Sequence, residues 1–387
     1  MKRPAVILLG LVPLLLASCR EARNEVKLGL NLELTGDIRT VGQSSLDGVS
    51  LYVRQLNEAG GLDLAGQKYF FGTVARDNGA HPAQAAEIAQ QLVTSDGVLA
   101  MIGPNSGACA EAAAVVAEKL KCVLISPWSA SPATTVDPKT GAARRYVFRA
   151  GSPDPWQGAV AAGFALRTLG ATRAAVVYDK NSPASVAEAE LFRRAFTGSG
   201  GTIVSAEALR PADETVVTGA LVAARPEVVF LPLDAREAAL LLPALRAAGV
   251  EAPVIGPDAW IAPQLADAAG AALAPAYLTA HFSPDSATPE ARRFVADFTS
   301  AYGRPPDEAA ALAYDACGLI VTAIGTAGRV DREAVREAMA RIVNYRGVTG
   351  EFRFVPGSGD PRKPAAVLQH LGGAWRWVEN ATPPWPE

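Results

Sequence analysis

A strand–helix alternation that runs, pauses and runs again constrains this chain most. Val26, Leu28, Leu30, Leu32 and Leu34 alternate with polar or small residues, the period of two that marks a strand. Leu46, Val49, Val53 and Leu56 follow at helical spacing, and the helix stops at Gly60-Gly61. The pattern then predicts a strand at 69–75, a helix opened by Pro82, a strand at 98–102, a helix at 108–120 and a strand at 122–126. A second series gives helices at 156–169, 185–196, 216–224 and 235–248, between strands at 174–178, 202–208, 227–231 and 253–255. Such an order demands two α/β units, each a doubly wound parallel sheet covered by helices. The tail departs from it. Helices at 288–302, 308–326 and 332–342 are followed by short strands at 351–355, 366–371 and 374–378, the last two joined by a Gly372-Gly373 hairpin.

The first twenty-five residues set the compartment. Lys2 and Arg3 precede an apolar run, residues 5–17, that falls short of the ~20 residues a membrane span needs. It has the size of a signal-peptide core. It ends in Leu16-Ala17-Ser18-Cys19, which resembles a bacterial lipobox, with cleavage before Cys19 and a diacylglycerol on its thiol. The alternative is an ordinary secretory signal with an incidental cysteine. Residues 1–18 therefore read as a lipoprotein signal and 19–25 as a tether, and the expected location is the periplasm or cell surface, membrane-anchored. No other segment reads as both long and apolar enough to span.

Composition excludes several classes. A chain of 387 residues, 49% hydrophobic, has material for two cores. With 36 basic against 39 acidic residues it lacks the excess of a nucleic-acid binder. Cys109 and Cys122 fall at opposite ends of one predicted helix, ~18 Å apart and beyond the ~7 Å reach of a disulfide. They and Cys317 read as buried free thiols. His81, His281 and His370 are scattered, no Cys–His spacing suits zinc, and neither a phosphate-binding loop nor a Gly-x-Ser-x-Gly elbow occurs. No metal or cofactor is expected.

In open parallel sheets, ligands bind beyond the carboxyl ends of strands. One such loop is Gly103-Pro104-Asn105-Ser106-Gly107, leading into a helix whose free N–H groups suit an anion, although Ser106 could simply cap that helix. Another is Pro127-Trp128-Ser129-Ala130-Ser131-Pro132, where Trp128 is either a ligand platform or core. Asp234 and Asp258 lie on loops of the second unit, where a carboxylate either pairs with an ammonium group or caps a turn. An anion-accepting wall facing a cation-accepting wall would suit a zwitterion such as an amino acid.

At Leu34-Thr35-Gly36, Asn57-Glu58-Ala59-Gly60-Gly61-Leu62, Ile102-Gly103-Pro104-Asn105-Ser106-Gly107 and Ile125-Ser126-Pro127, the sequence resembles the branched-chain amino-acid-binding family of ABC-transporter receptors, the type I periplasmic binding proteins. Gly256-Pro257-Asp258-Ala259-Trp260, Ala313-Tyr314-Asp315-Ala316 and Gly347-Val348-Thr349-Gly350 extend the resemblance to almost the whole mature chain. The resemblance implies two lobes joined by a three-crossing hinge: 26–148 plus 281–349, and 149–280 plus 350–387. It implies ligand-binding positions at Ser106, Gly107, Trp128, Ser129, Ala130 and Asp258, with the α-carboxylate on the first lobe and the ammonium at Asp258; Ser131 and Asp234 join them as candidates from their loops alone. Val41, Ser182-Pro183-Ala184, Ala130 and Asp234 depart from the family pattern, so leucine, isoleucine or valine is not fixed as the ligand. The implied function is a non-enzymatic, lipid-anchored receptor for an amino acid or related small polar molecule, partnered by an inner-membrane permease. Two rivals stay open here: a same-fold lipoprotein that regulates a partner such as a cell-wall synthase, and a hydrolase using a serine with His281.

Overall fold

The computed structural model describes residues 24–384, apart from 211–213 and 262. The expected signal sequence, Cys19 and most of the tether lie outside the described residues; Asn24 and Glu25, the end of the expected tether, already belong to the first strand.

Six strands form the first sheet: β1 (Asn24–Leu32), β2 (Leu62–Leu64), β3 (Gln67–Asp77), β4 (Ala100–Ile102), β5 (Val123–Ser126) and β6 (Val147–Arg149). Their order is β2-β3-β1-β4-β5-β6, all parallel except the β2–β3 hairpin. The chain leaves β1 for β3 on one side and returns to β4 on the other. The loops after β1 and β4 therefore flank a topological switch point, where α/β sheets open a crevice.

The second sheet holds β7 (Arg173–Asp179), β8 (Thr202–Leu209), β9 (Val228–Phe230), β10 (Val254–Gly256) and β11 (Ala276–Ala280). A small antiparallel sheet follows, of β12 (Tyr345–Gly347), β13 (Gly350–Phe354) and β14 (Pro361–Arg362). The hairpin of β15 (Ala365–Leu371) and β16 (Ala374–Ala381) then joins the second sheet, antiparallel to β11, giving the order β16-β15-β11-β10-β9-β7-β8.

Eleven helices cover these sheets among the described residues: α1 (Arg39–Glu58), α2 (Pro82–Thr94), α3 (Gly107–Leu120), α4 (Asp154–Arg167), α5 (Pro183–Gly198), α6 (Glu214–Ala224), α7 (Ala235–Ala247), α8 (Pro263–Ala269), α9 (Pro289–Tyr302), α10 (Glu308–Ala327) and α11 (Arg332–Met339). In the first lobe, Leu28, Leu30 and Ile102 pack with α1, α10 and α11 on one face. Met101, Leu124 and Val147 pack with α2 and α3 on the other. In the second lobe, α6 and α7 cover one face and α4 and α5 the other. Burial on both faces explains why these strands read as apolar runs.

Two sequence expectations are corrected. First, α10 does have the length and apolar composition of a membrane span, but 78% of its most apolar stretch is buried. It carries Leu312, Leu319, Ile320 and Ile324 into the first core, so its hydrophobicity serves packing. Second, the chain does not return to the second lobe at 350. Phe352 and Phe354 are buried in the first core, and the second sheet is rejoined only at β15. The third crossing is therefore at Lys363-Pro364. Cys109, Cys122 and Cys317 are free and buried, as expected.

Candidate functional site

The carboxyl ends of β1, β4, β5 and β6 share one edge, and the first-lobe loops gather there. Gly103 has φ +91° and a Cβ there would meet the Asn31 carbonyl at 2.2 Å, so only glycine lets the chain leave β4 this close to β1. Ser106 then caps α3, its Oγ accepting from the Cys109 N–H at 3.4 Å. At Gly107 a Cβ would stand 3.1 Å from Ser131 Cβ and 3.8 Å from Ser129 Oγ. The structure thus brings together the two loops that the sequence singled out separately.

A carboxylate of the protein itself already meets part of the α3 N-terminus. Glu33, fully buried, accepts from the Asn105 N–H at 3.1 Å, Asn105 Nδ2 at 3.1 Å and the Ser106 N–H at 3.1 Å. Gly107 and Ala108 carry the next N–H groups, which find no acceptor within a helix. These are where the helix dipole would favour an added anion.

The second loop is braced from below. Arg149, with no exposed surface, donates to the carbonyls of Ser129 and Ser131 at 2.7 Å each, to Thr135 Oγ1 at 3.0 Å and to Asp360 at 2.5 Å. Ser129 is buried and pairs with Thr134 at 2.8 Å, while Ser131 donates to Glu111 at 2.5 Å. Trp128 is half-buried against the first core, and Ala130 is half-exposed beside it.

On the second lobe, Asp258 stands just beyond β10. Gln157 of α4, buried, holds it twice: Nε2 donates to Asp258 Oδ2 at 3.1 Å, and Oε1 accepts from the Asp258 N–H at 3.3 Å. The His281 ring lies 3.8 Å from the same carboxylate. Burial, then Lys363 and Arg149, push this histidine down to about 3, so it is neutral near pH 7. Asp234 sits apart from this group. It caps α7 in a capping box, accepting from the Glu237 N–H at 2.7 Å, and lines a cavity of about 330 Å³ with Asp179, Arg210 and Arg236.

Sequence reading missed Glu33, Arg149, Gln157, Glu308 and Lys363. Glu33 left a signal, an acid between leucines at a strand end. The rest gain their roles only from tertiary contacts. Lys363, nearly fully buried at the third crossing, donates to Thr349 Oγ1 at 2.5 Å and to the Ala150 carbonyl at 3.3 Å.

Comparison with known proteins agrees with this layout. The periplasmic binding protein family matches residues 25–374. The Leu/Ile/Val-binding protein homolog 1 of Brucella abortus is 26% identical over 360 residues, covering 92% of this chain and 91% of that protein. A Rhodospirillum rubrum structure, 28% identical, superposes with a TM-score of 0.80 over 92% of this chain and 100% of its own. The branched-chain amino acid transporter substrate binding protein of Streptococcus pneumoniae, solved with isoleucine, is 25% identical, with a TM-score of 0.67 over 92% and 99% of the two chains. This chain therefore belongs to the periplasmic binding protein family, and it is similar to substrate-binding proteins of branched-chain amino-acid ABC transporters.

Proposed function

We propose that this protein is the lipid-anchored receptor of an ABC importer and holds an amino acid, or a related small polar molecule, between its lobes. The observation that carries this reading is the pairing of opposite electrostatics on the two lobes. One offers a helix N-terminus at Ser106-Gly107 beside the loop of Trp128, Ser129, Ala130 and Ser131; the other offers Asp258, fixed by Gln157. In this reading the ligand's carboxylate meets the α3 N-terminus and its ammonium meets Asp258, while Asp234 is a further acid of the second lobe, set apart in the α7 cap. A molecule touching both lobes favours the closed arrangement, because only that arrangement offers both contacts. The isoleucine held by the Streptococcus relative, and the naming of the Brucella relative as a Leu/Ile/Val-binding protein homolog, support an amino acid. Cys19 would carry the anchor, and Cys19→Ser would release the protein from membranes into the soluble fraction.

A thermal-shift screen of the purified protein against amino acids and amides tests the reading. A true ligand at 100 times its Kd stabilises by ~2.7 kcal/mol. Calorimetry on Asp258→Ala should then show a loss of ~2–5 kcal/mol, the typical cost of leaving a buried charge partner unpaired. Unchanged affinity would remove Asp258 from the site.

A further inference from the structure

We propose that Glu308 is a second carboxylate for the ligand's ammonium, acting with Asp258, so that the cleft selects amine-bearing ligands over acids of the same skeleton that lack the amine. This rests on the amino-acid reading above and adds a residue that reading does not use.

Glu308 is the first residue of α10, on the first lobe, and reaches the second crossing. Its Oε1 accepts from the N–H groups of His281 at 2.8 Å and Phe282 at 3.4 Å. The ring of that same His281 lies 3.8 Å from Asp258 Oδ2. One buried residue thus joins a carboxylate from each lobe, and its neutral ring supplies no positive charge to either. The cations nearby are Arg149, which braces the serine loop, and Lys363, which is shared between the buried Asp315 and Glu308. Lys363 also bonds to Thr349 and Ala150, and its Nζ sits 4.4 Å over the Phe352 ring, so one ammonium faces two carboxylates. A second observation points to a ligand. Ser152, in the first crossing, is 2% exposed and its hydroxyl has no hydrogen-bond partner. Its neighbour Gly151 is against His281, since a Cβ there would lie 3.7 Å from the imidazole Cε1. A buried hydroxyl left unpaired is costly unless a ligand group or water meets it.

Among the described residues, Asp258 and Lys363 are the charged groups that act on Glu308, and the His281 ring lies beside Asp258. Partial burial, then Asp258, raise the Glu308 carboxyl well above its ordinary range. A bound ammonium favours the ionised form. Glu308 then gives its proton to the buffer as the ligand enters, and affinity rises with pH until Glu308 is ionised without ligand.

The experiment is calorimetry on the purified full-length protein with the twenty L-amino acids, and with the deaminated carboxylic acid that matches the tightest of them. The wild type should bind that amino acid at least tenfold more tightly than the matched acid. At pH 7 its heat of binding should vary with the ionisation enthalpy of the buffer. Glu308→Gln keeps an acceptor for His281 and Phe282, so the crossing stays placed. It should lose tenfold or more in affinity for the amino acid, little for the acid, and the buffer dependence should vanish. A folded Glu308→Gln with wild-type affinity and proton release overturns the proposal and leaves the amino-acid reading intact. Failure of the wild type to bind any amino acid overturns both. Should Glu308→Gln not fold, Glu308→Asp retains the charge and must still release a proton on binding; a folded Asp variant that releases none overturns the proposal.

Discussion

The two lobes treat their polar groups differently where they meet. On the first, the groups at the strand ends are largely satisfied by the protein itself: Glu33 takes N–H groups of Asn105 and Ser106, and Arg149 takes the carbonyls of Ser129 and Ser131. On the second lobe, Asp258 is held by the Gln157 amide, and at the crossing Glu308 reaches over from the first lobe to two backbone N–H groups. The first wall is a rigid form whose shape is fixed before a ligand arrives. The second is positioned but carries charge that a ligand can meet. A wall whose charges are used up in its own bracing gives preorganisation, and a carboxylate placed beside the ligand gives selectivity.

Removing the brace of the first wall should have the largest effect. Arg149→Met leaves two loop carbonyls without their donor and takes the cation from Asp360, which keeps the Thr135 hydroxyl at 2.7 Å. Breaking a buried pair from one side costs about 3–5 kcal/mol, which denaturant unfolding would read directly. A loss below 1 kcal/mol would mean that the guanidinium does not brace this wall. Next in size is Glu33→Gln. The amide keeps one acceptor oxygen but loses the charge, so it meets the Asn105 and Ser106 N–H groups less well. A buried donor left short of its partner costs about 1–3 kcal/mol. The same unfolding measurement checks it, and a neutral result would mean that water replaces Glu33 at the α3 N-terminus.

These two residues also mark how far the sequence could be read. The alternation of Val26, Leu28 and Leu30, the helix start at Pro82 and the stop at Gly60-Gly61 were enough for two α/β units, because burial on both faces leaves a local imprint. Four strands it missed, β2, β6, β12 and β14, have two or three residues, too few to show a period. The misplaced third crossing has the same origin. Phe352 and Phe354 alternate as any strand would, and nothing local says which core they enter. In the site, the two serine-bearing loops were legible from their position after strands. Their mutual contact at Gly107 was not, nor was the reach of Glu308 from α10 to the second crossing, because both depend on partners more than twenty residues away.

A pH series would sharpen the contrast at the crossing. His281 is neutral when folded, lowered to about 3, against about 6.5 in an unfolded chain. Between these values the unfolded chain binds the extra proton, so this group's contribution to stability is complete above pH 6.5 and is lost as pH falls toward 3. The slope is at most ~1.4 kcal/mol per pH unit. Glu308 works in the opposite direction. Its folded form holds the extra proton, so its contribution shrinks as pH rises above the ordinary glutamate range. The two slopes oppose each other over mildly acid pH, and the wild-type curve alone would not separate them. His281→Gln removes the imidazole and leaves the backbone N–H that Glu308 uses. Its stability relative to wild type should therefore improve steadily as pH drops below 6.5. Parallel curves from pH 7 to pH 4 would show that the imidazole is hydrated in the folded protein.

The smallest expected effect separates the two aspartates of the second lobe. Asp234 accepts from the Glu237 N–H, and Glu237 Oε2 accepts in turn from the Asp234 N–H at 3.2 Å, so both side chains are engaged in starting α7. Asp258 starts only a short turn, Asp258–Ile261, and its carboxylate is held by a glutamine from another helix. Asp234→Ala should therefore lower stability by about 1 kcal/mol, the usual cost of a lost cap, and weaken ligand binding far less than Asp258→Ala does. Asp234→Asn, which keeps a capping oxygen, should restore most of that stability. Should Asp234→Asn instead keep its stability and lose as much affinity as Asp258→Ala, the carboxylate would be shared between cap and ligand. The charge of the second wall would then extend from β10 to β9, and the contrast between the two lobes would be larger than Asp258 alone makes it.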